Sequence, residues 1–357
     1  MTMRRVLATA CAAGLLAVAF ACGGCAGSSS GSSGPASHVR KTTPAPVALT
    51  GTIAFRRYFT PDESWSGIFT VGSGGKVRQL TDPPRGELDD QPSWSPDGTF
   101  IVFSHGCSPT IPCRLYRVAP DGTGLAPIGP HCSVDGVTAE TCSDDSNPSV
   151  SPDSRWVLFT QSSGRVREDS SGEGTIEHSA LAITRTDGSR RHVLLRRAPF
   201  SGDLVYPALS PDGKQLVFEE INSSFVKLPG ARAVFVMGTD GSKPRRLTPW
   251  AENDGNQPVW SPDGKWLVFE SHVEDGSQSQ YFLIHPDGSG RRQISDFGDG
   301  TWLGRATFSP DGRSIAFAMG IDGANAAIYT MRLDGSHVQQ VTHSAYWDSA
   351  SAWGPAS

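Results

Sequence analysis

The 357-residue sequence predicts an all-β chain, a six-bladed β-propeller of four-stranded antiparallel blades, and three features predict it. A ten-residue segment recurs five times without a gap: WSPDGTFIVF (94–103), VSPDSRWVLF (150–159), LSPDGKQLVF (209–218), WSPDGKWLVF (260–269) and FSPDGRSIAF (308–317). Its turn is chemically explicit: Pro fixes φ, Asp bonds back to the backbone, and Gly supplies the positive φ of a tight hairpin. The strand after the turn is apolar on both faces, as in Ile101-Val102-Phe103 and Leu267-Val268-Phe269, and must be covered on both sides. Radially stacked sheets, each between two neighbours, provide that cover.

Each unit reads as four strands, A to D. Strand A ends at the SPDG turn and B follows it. Strand C runs to a second turn, as in RLYRVAPDG (114–122), LAITRTDG (181–188), AVFVMGTDG (233–241), YFLIHPDG (281–288) and AIYTMRLDG (327–335). A short D strand closes the unit, as in RRLT (245–248), RQIS (292–295) and QQVT (339–342). A Pro just before strand A (Pro92, Pro148, Pro207, Pro258) suits an innermost strand whose free edge pairs with nothing. Thr52–Phe55 reads as a B strand lacking its A, and Ser349–Pro355 as an A strand lacking its B, so the two ends are expected to complete one blade together. The unit is longer than the ~40–45 residues of a bare four-stranded blade, which places insertions in the B–C and D–A loops, such as Gln161 to His178, Glu219 to Arg232 and Gly129 to Asn147.

The repeat PxWSPDGxxIxF…IYxxxxDGxxxxxLT, across residues 51–357, resembles that of the TolB-type six-bladed propeller, also found in propellers attached to prolyl-oligopeptidase-like hydrolases. The resemblance implies the fold and says much less about activity. TolB carries an α/β domain before its propeller, where this chain has a tether. No α/β-hydrolase domain follows the repeats, so a peptidase is not expected.

The N-terminus reads as an address. Arg4 and Arg5 precede sixteen nearly continuous apolar residues, Val6–Ala21, too short for the roughly 20 of a spanning helix. Charged start, short apolar run and small residues at its end make residues 1–21 a signal peptide. Cys22, followed by GGC and a Ser/Gly run, resembles the lipidated cysteine of bacterial lipoproteins, with Cys25 as the alternative. Residues 22–50, rich in Ser, Gly, Thr and Pro, read as a flexible tether. Gly27–Gly31 matches the hydrolase pattern GxSxG by composition only, having no strand before it and no helix after. The expectation is an exported protein held by lipid on the extracytoplasmic side of the membrane.

Composition narrows the function classes. A formal charge of -5 argues against a nucleic-acid partner, and nine Trp with 16 Phe exclude disorder throughout. Beyond the signal, Cys107, Cys113, Cys132 and Cys142 lie in two variable loops of the second blade. An even number in an exported chain reads as disulfides, and proximity favours Cys107–Cys113 and Cys132–Cys142. Zinc with His105 and His131 is the alternative, although their spacing matches no standard site. Carboxylates recur before strand A. Asp90, Asp145, Asp203, Asp254 and Asp348 form a candidate ring at the channel mouth, able to hold Ca²⁺ or meet a basic partner, or else each caps its own loop. The positions after strand B (Arg56, Ser104, Thr160, Glu219, Glu270, Ala318) make no nucleophile–base–acid set, and scattered histidines give no metal centre, so no catalytic residue is named. The leading reading is a non-catalytic, monomeric module engaging an envelope protein or cell-wall component through the variable-loop face. A glycan lyase or hydrolase at the channel mouth and a calcium or small-ligand sensor are the alternatives.

Overall fold

The computed structural model describes residues 48–108, 111–129, 143–168, 174–222, 231–250, 254–272 and 278–355, and among them there is no helix. Among the described residues twenty-five strands follow the repeat. The first three are β1 (Ile53–Tyr58), β2 (Ser66–Val71) and β3 (Val77–Gln79). Then come β4 (Leu88–Trp94), β5 (Ile101–Cys107), β6 (Arg114–Val118) and β7 (Ala126–Pro127). The third group is β8 (Asp144–Val150), β9 (Trp156–Glu168), β10 (Gly174–Arg185) and β11 (His192–Arg196). The fourth is β12 (Asp203–Leu209), β13 (Gln215–Asn222), β14 (Ala231–Gly238) and β15 (Arg245–Arg246). The fifth is β16 (Asp254–Trp260), β17 (Leu267–His272), β18 (Ser279–Ile284) and β19 (Arg292–Gln293). Last are β20 (Thr301–Leu303), β21 (Thr307–Phe308), β22 (Ser314–Ile321), β23 (Ala327–Arg332), β24 (Gln339–Gln340) and β25 (Asp348–Trp353).

Hydrogen bonding joins these as antiparallel sheets in chain order, such as β12-β13-β14-β15 and β16-β17-β18-β19. The eight-stranded sheet is two four-strand groups, β25-β1-β2-β3 and β4-β5-β6-β7, that meet through one parallel bridge, Ser66 to Leu88. Within it the last strand lies on the first: Ile53 faces Trp353, Ala54 faces Ala352 and Arg57 faces Asp348. The innermost strands neighbour one another in order, β4 by β8, β8 by β12, β12 by β16, β16 by β21, β21 by β25 and β25 by β4.

The turns form as their residues dictate. Gly98, Gly213, Gly264 and Gly312 all take φ between 68° and 71°, and Ser154 takes 57° in the one SPDS copy. The turn Ser hydroxyl bonds across the hairpin, as Phe100 N–H donates to Ser95 Oγ and Trp266 N–H to Ser261 Oγ. The Asp accepts the N–H two residues on, as Asp212 does from Lys214. The D strands are shorter than expected, two residues instead of four in three units. The Thr or Ser that ends each motif substitutes its side chain for the ladder: Val234, Tyr281 and Ile328 donate their N–H groups to Thr248, Ser295 and Thr342.

The core lies between sheets. Phe55, Phe103, Phe159, Phe218, Phe269 and Phe317 hold the same place in successive B strands and are all fully buried. Truncating any one to Ala costs about 3–5 kcal/mol. One cluster joins Ala316, Ile328 and Val341 near the C-terminus to Ile53, Phe55 and Val71 near the N-terminus. Leu49, placed in the tether by composition, is buried in that cluster.

Two local expectations differ. The A strand of the FSPDG copy is interrupted at Gly304–Ala306, where Gly304 N–H turns to Ala318 O. The stretch from Gln161 to His178, expected as a loop, continues β9 and β10 as a hairpin arm on either side of residues 169–173.

Candidate functional site

The inner edge is where the repeats converge. Each proline-bearing inner strand carries a bulge, and the residue before the proline is left-handed: Gln91 at φ 55°, Asn147 at 52°, Tyr206 at 51° and Gln257 at 53°. A following Pro disfavours the right-handed helical region, and the bulge re-aims the side chain. Such a conformation costs a non-glycine residue about 1–2 kcal/mol, which the hydrogen bonds formed there offset. Asn147 N–H donates to Gln91 Oε1 at 2.8 Å, Tyr206 N–H to Asn147 Oδ1 at 3.3 Å, and Gln257 N–H to Glu219 Oε2 at 2.9 Å. Successive sheets are thus tied at one repeated position. Sequence reasoning passed over it; the signal was a large polar residue before each strand-A proline, with Arg305 in the proline-free copy.

Beside this line lie the residues after strand B. Arg56 donates to Asp90 at 2.5 Å and to Ser349 Oγ at 2.6 and 3.1 Å, and stacks on Tyr58 at 4.3 Å. Burial holds the Tyr58 hydroxyl well above the usual phenol range, against the pull of Arg56. Ser104 donates to Gln91, and Thr160 to the Leu204 carbonyl. Glu219, fully buried, accepts from Arg232 at 2.7 Å. Glu270 is half-buried, and burial, with the nearby Glu219 charge adding to it, raises its carboxyl to about 7.

Three of the anticipated carboxylates are paired with arginines. Asp90 pairs with Arg56, Asp145 with Arg191 at 2.6 and 2.7 Å, and Asp348 with Arg57 at 2.6 and 2.8 Å. Asp203 and Asp254 open β12 and β16, in register with Ile221 and Ser271. Asp89, fully buried, meets His105 Nδ1 at 2.6 Å. Asp144 is raised to about 6 by burial and by Asp145, against the Cys113 backbone N–H that bonds it. Among the described residues no group of three or more His, Cys, Asp or Glu is placed to hold a metal ion.

Cys107 and Cys113 are joined in a disulfide across the β5–β6 loop. Cys132 and Cys142, like Cys22 and Cys25, lie outside the described residues. On the chain-entropy model so short a loop contributes about 2 kcal/mol. Cys107→Ser is therefore expected to lower the unfolding free energy in urea by about that amount, and dithiothreitol to lower that of the unaltered protein by at least as much. An unchanged urea midpoint in both would contradict this.

No family model matches the chain. An uncharacterized protein of Agrobacterium fabrum is 27% identical over 244 residues, 68% of this chain and 69% of its own. The crystal structure of TolB from Acinetobacter baumannii superposes with a TM-score of 0.64 at 17% identity, over 88% of this chain and 69% of that one. An oligogalacturonate lyase in complex with manganese gives 0.53 at 16%, over 82% and 78%. The chain therefore has an all-β fold of TolB-like propeller type, a class whose solved members include an enzyme.

Proposed function

We propose that this is an exported protein, lipid-anchored through Cys22 on the extracytoplasmic side of the membrane. In this reading residues 51–357 form a closed six-bladed propeller that acts, as a monomer, by non-catalytic binding of an envelope protein or cell-wall component. Closure is supported by the β25–β1 pairing, by the inner-strand order that returns to its start, and by the cluster joining Ile328 to Phe55. Binding is supported by the inner edge, whose polar side chains form struts between sheets and give the loops a rigid scaffold.

The observation that carries the reading is the contrast between the two faces. One is a set of near-identical turns: the A–B and C–D turns of a unit bond each other, as Thr186 N–H does to Arg155 O and Thr239 N–H to Lys214 O. The other gathers the B–C and D–A loops, tied by Trp65 Nε1 to the Pro83 carbonyl and by Asp145 N–H to the Cys113 carbonyl. It bears the disulfide and the β9–β10 arm. Beyond Ser162 the edge of β9 pairs with no other sheet strand among the described residues. An open strand edge is a template for an added strand, and loops on a rigid scaffold carry binding.

The test is crosslinking capture from envelopes, using the mature protein and a variant whose residues 163–177 are replaced by a two-residue turn. The intact form is expected to recover proteins that the shortened form loses; identical recoveries would refute the choice of face. Mass measurement of the mature N-terminus, with diacylglycerol on Cys22 expected, tests the anchor.

A further inference from the structure

Among the described residues Arg305 is the one inner-edge arginine that the network above does not use. Its neighbour in charge, Arg56, is fully engaged by Asp90 and Ser349. Arg305 stands at the position occupied elsewhere by Gln91, Asn147, Tyr206 and Gln257, in the break between β20 and β21. The side chain is half-buried, and its Nε is shielded from solvent with no hydrogen-bond partner. The groups that act on it are Tyr206 and Asp90, and Asp90 already neutralises Arg56. Asp90 is bonded to Arg56, and Glu63, which also acts on Arg56, is exposed and reaches Tyr58, so among the described residues no carboxylate is bonded to Arg305. Burial pulls the Arg305 pKa down, yet guanidinium keeps its proton at any accessible pH. An unpaired, partly desolvated cation is a cost to the fold.

The break in the strand fits the same picture. In four other copies a proline (Pro92, Pro148, Pro207, Pro258) continues the inner strand, whereas here Gly304 and Ala306 flank the arginine and Trp302 packs over Gly304. The sequence thus gives up regular pairing at the one place where it installs a long cationic side chain.

We propose that the inner edge around Arg305 is a binding site for a single carboxylate group, held by the Arg305 guanidinium. The single charge of Arg305 selects a monoanion, and a planar fork of N–H donors matches the two oxygens of a carboxylate in bidentate fashion. A carboxylate of this kind is borne by the C-terminus of a peptide or by a sugar acid. The site is separate from the loop-face contact, so the shortened arm leaves it intact and each can fail without the other.

The experiment is titration by calorimetry and thermal shift with N-acetylglycine, N-acetylglycinamide, glucuronate, glucose and inorganic phosphate, on the intact protein and on Arg305→Met and Arg305→Lys. Saturable binding of N-acetylglycine or glucuronate is expected, with at least a tenfold loss for the matching amide or neutral sugar. Stronger binding of N-acetylglycine assigns a peptide end and stronger binding of glucuronate a sugar acid; both support the site. Arg305→Met should lose at least tenfold in affinity while melting at a higher temperature without ligand, because it removes the uncompensated charge. Arg305→Lys keeps the charge and should retain part of the binding. No carboxylate binding at 50 mM (on the order of the weakest useful affinity), equal binding by Arg305→Met, tighter binding of phosphate, or a lower melting temperature for Arg305→Met would each overturn it.

Discussion

Removing residues 348–357 is expected to abolish cooperative unfolding altogether. The deletion takes away β25, leaving the outer side of β1 without its partner along Ile53, Ala54, Arg56 and Arg57. It also strips Arg57 of the fully buried Asp348 and Arg56 of Ser349. Breaking one buried ion pair by removing a partner costs about 3–5 kcal/mol. The Ile53, Phe55 and Ala318 cluster would meanwhile lose the partly buried Trp353 that covers it. Together these losses match the 5–15 kcal/mol by which a typical domain is stable. The truncated chain should show no sigmoidal urea transition in tryptophan fluorescence and should bind a hydrophobic dye. A two-state transition within about 2 kcal/mol of the intact protein would mean that the tail is an appendage.

Glu270→Gln is expected to stabilise the protein at neutral and alkaline pH and to do nearly nothing in acid. Glu270 is raised from 4.5 to about 7, mainly by burial and then by Glu219, with Ser279 and Arg232 opposing. The folded state therefore holds a proton that the unfolded chain releases. That favourable contribution is complete below the unfolded value and is lost as pH rises through about 7. Glutamine keeps the shape and an acceptor oxygen for Ser279 without the charge. The gain should be close to zero at pH 4.5 and reach about 1–3 kcal/mol at pH 8, as the shift implies. Urea melts of both proteins across that range measure it. A variant equally or less stable than the parent at pH 8 would show that the Glu270 charge is well compensated in the fold.

The frame was legible because it is local and periodic. SPDG fixes a hairpin wherever it occurs, and the phenylalanine eight residues after the serine is buried in every copy since both faces of its strand are covered. The pairing of the two ends was legible for the same reason, an A strand and a B strand each missing its complement. The site was less so. Which carboxylate meets which cation depends on partners almost the whole chain apart, as with Arg57 and Asp348, and no spacing rule encodes that. The arm built from Gln161 to His178 was masked by its Ser and Gly content, which reads as loop. The left-handed residues before proline had a visible pattern, Gln, Asn, Tyr and Gln, but its meaning required the bulge that turns those side chains inward. Arg305 stood out in the alignment of repeats only as a missing proline.

Closure of the ring depends above all on β25 lying beside β1, and a cysteine pair reads this directly. Ala54 and Ala352 face each other in that pairing and both are small, so Ala54→Cys with Ala352→Cys disturbs little. Directly opposed residues bring their β-carbons to about 4.5–5.5 Å, near enough for a disulfide after slight adjustment. After mild oxidation of the folded double variant, peptide mass mapping should find residues 54 and 352 joined in most molecules, and the joined form should melt at a higher temperature. Two thiols that both alkylate freely, with no joined peptide, would contradict the closure and the placement of every inner-edge residue that rests on it.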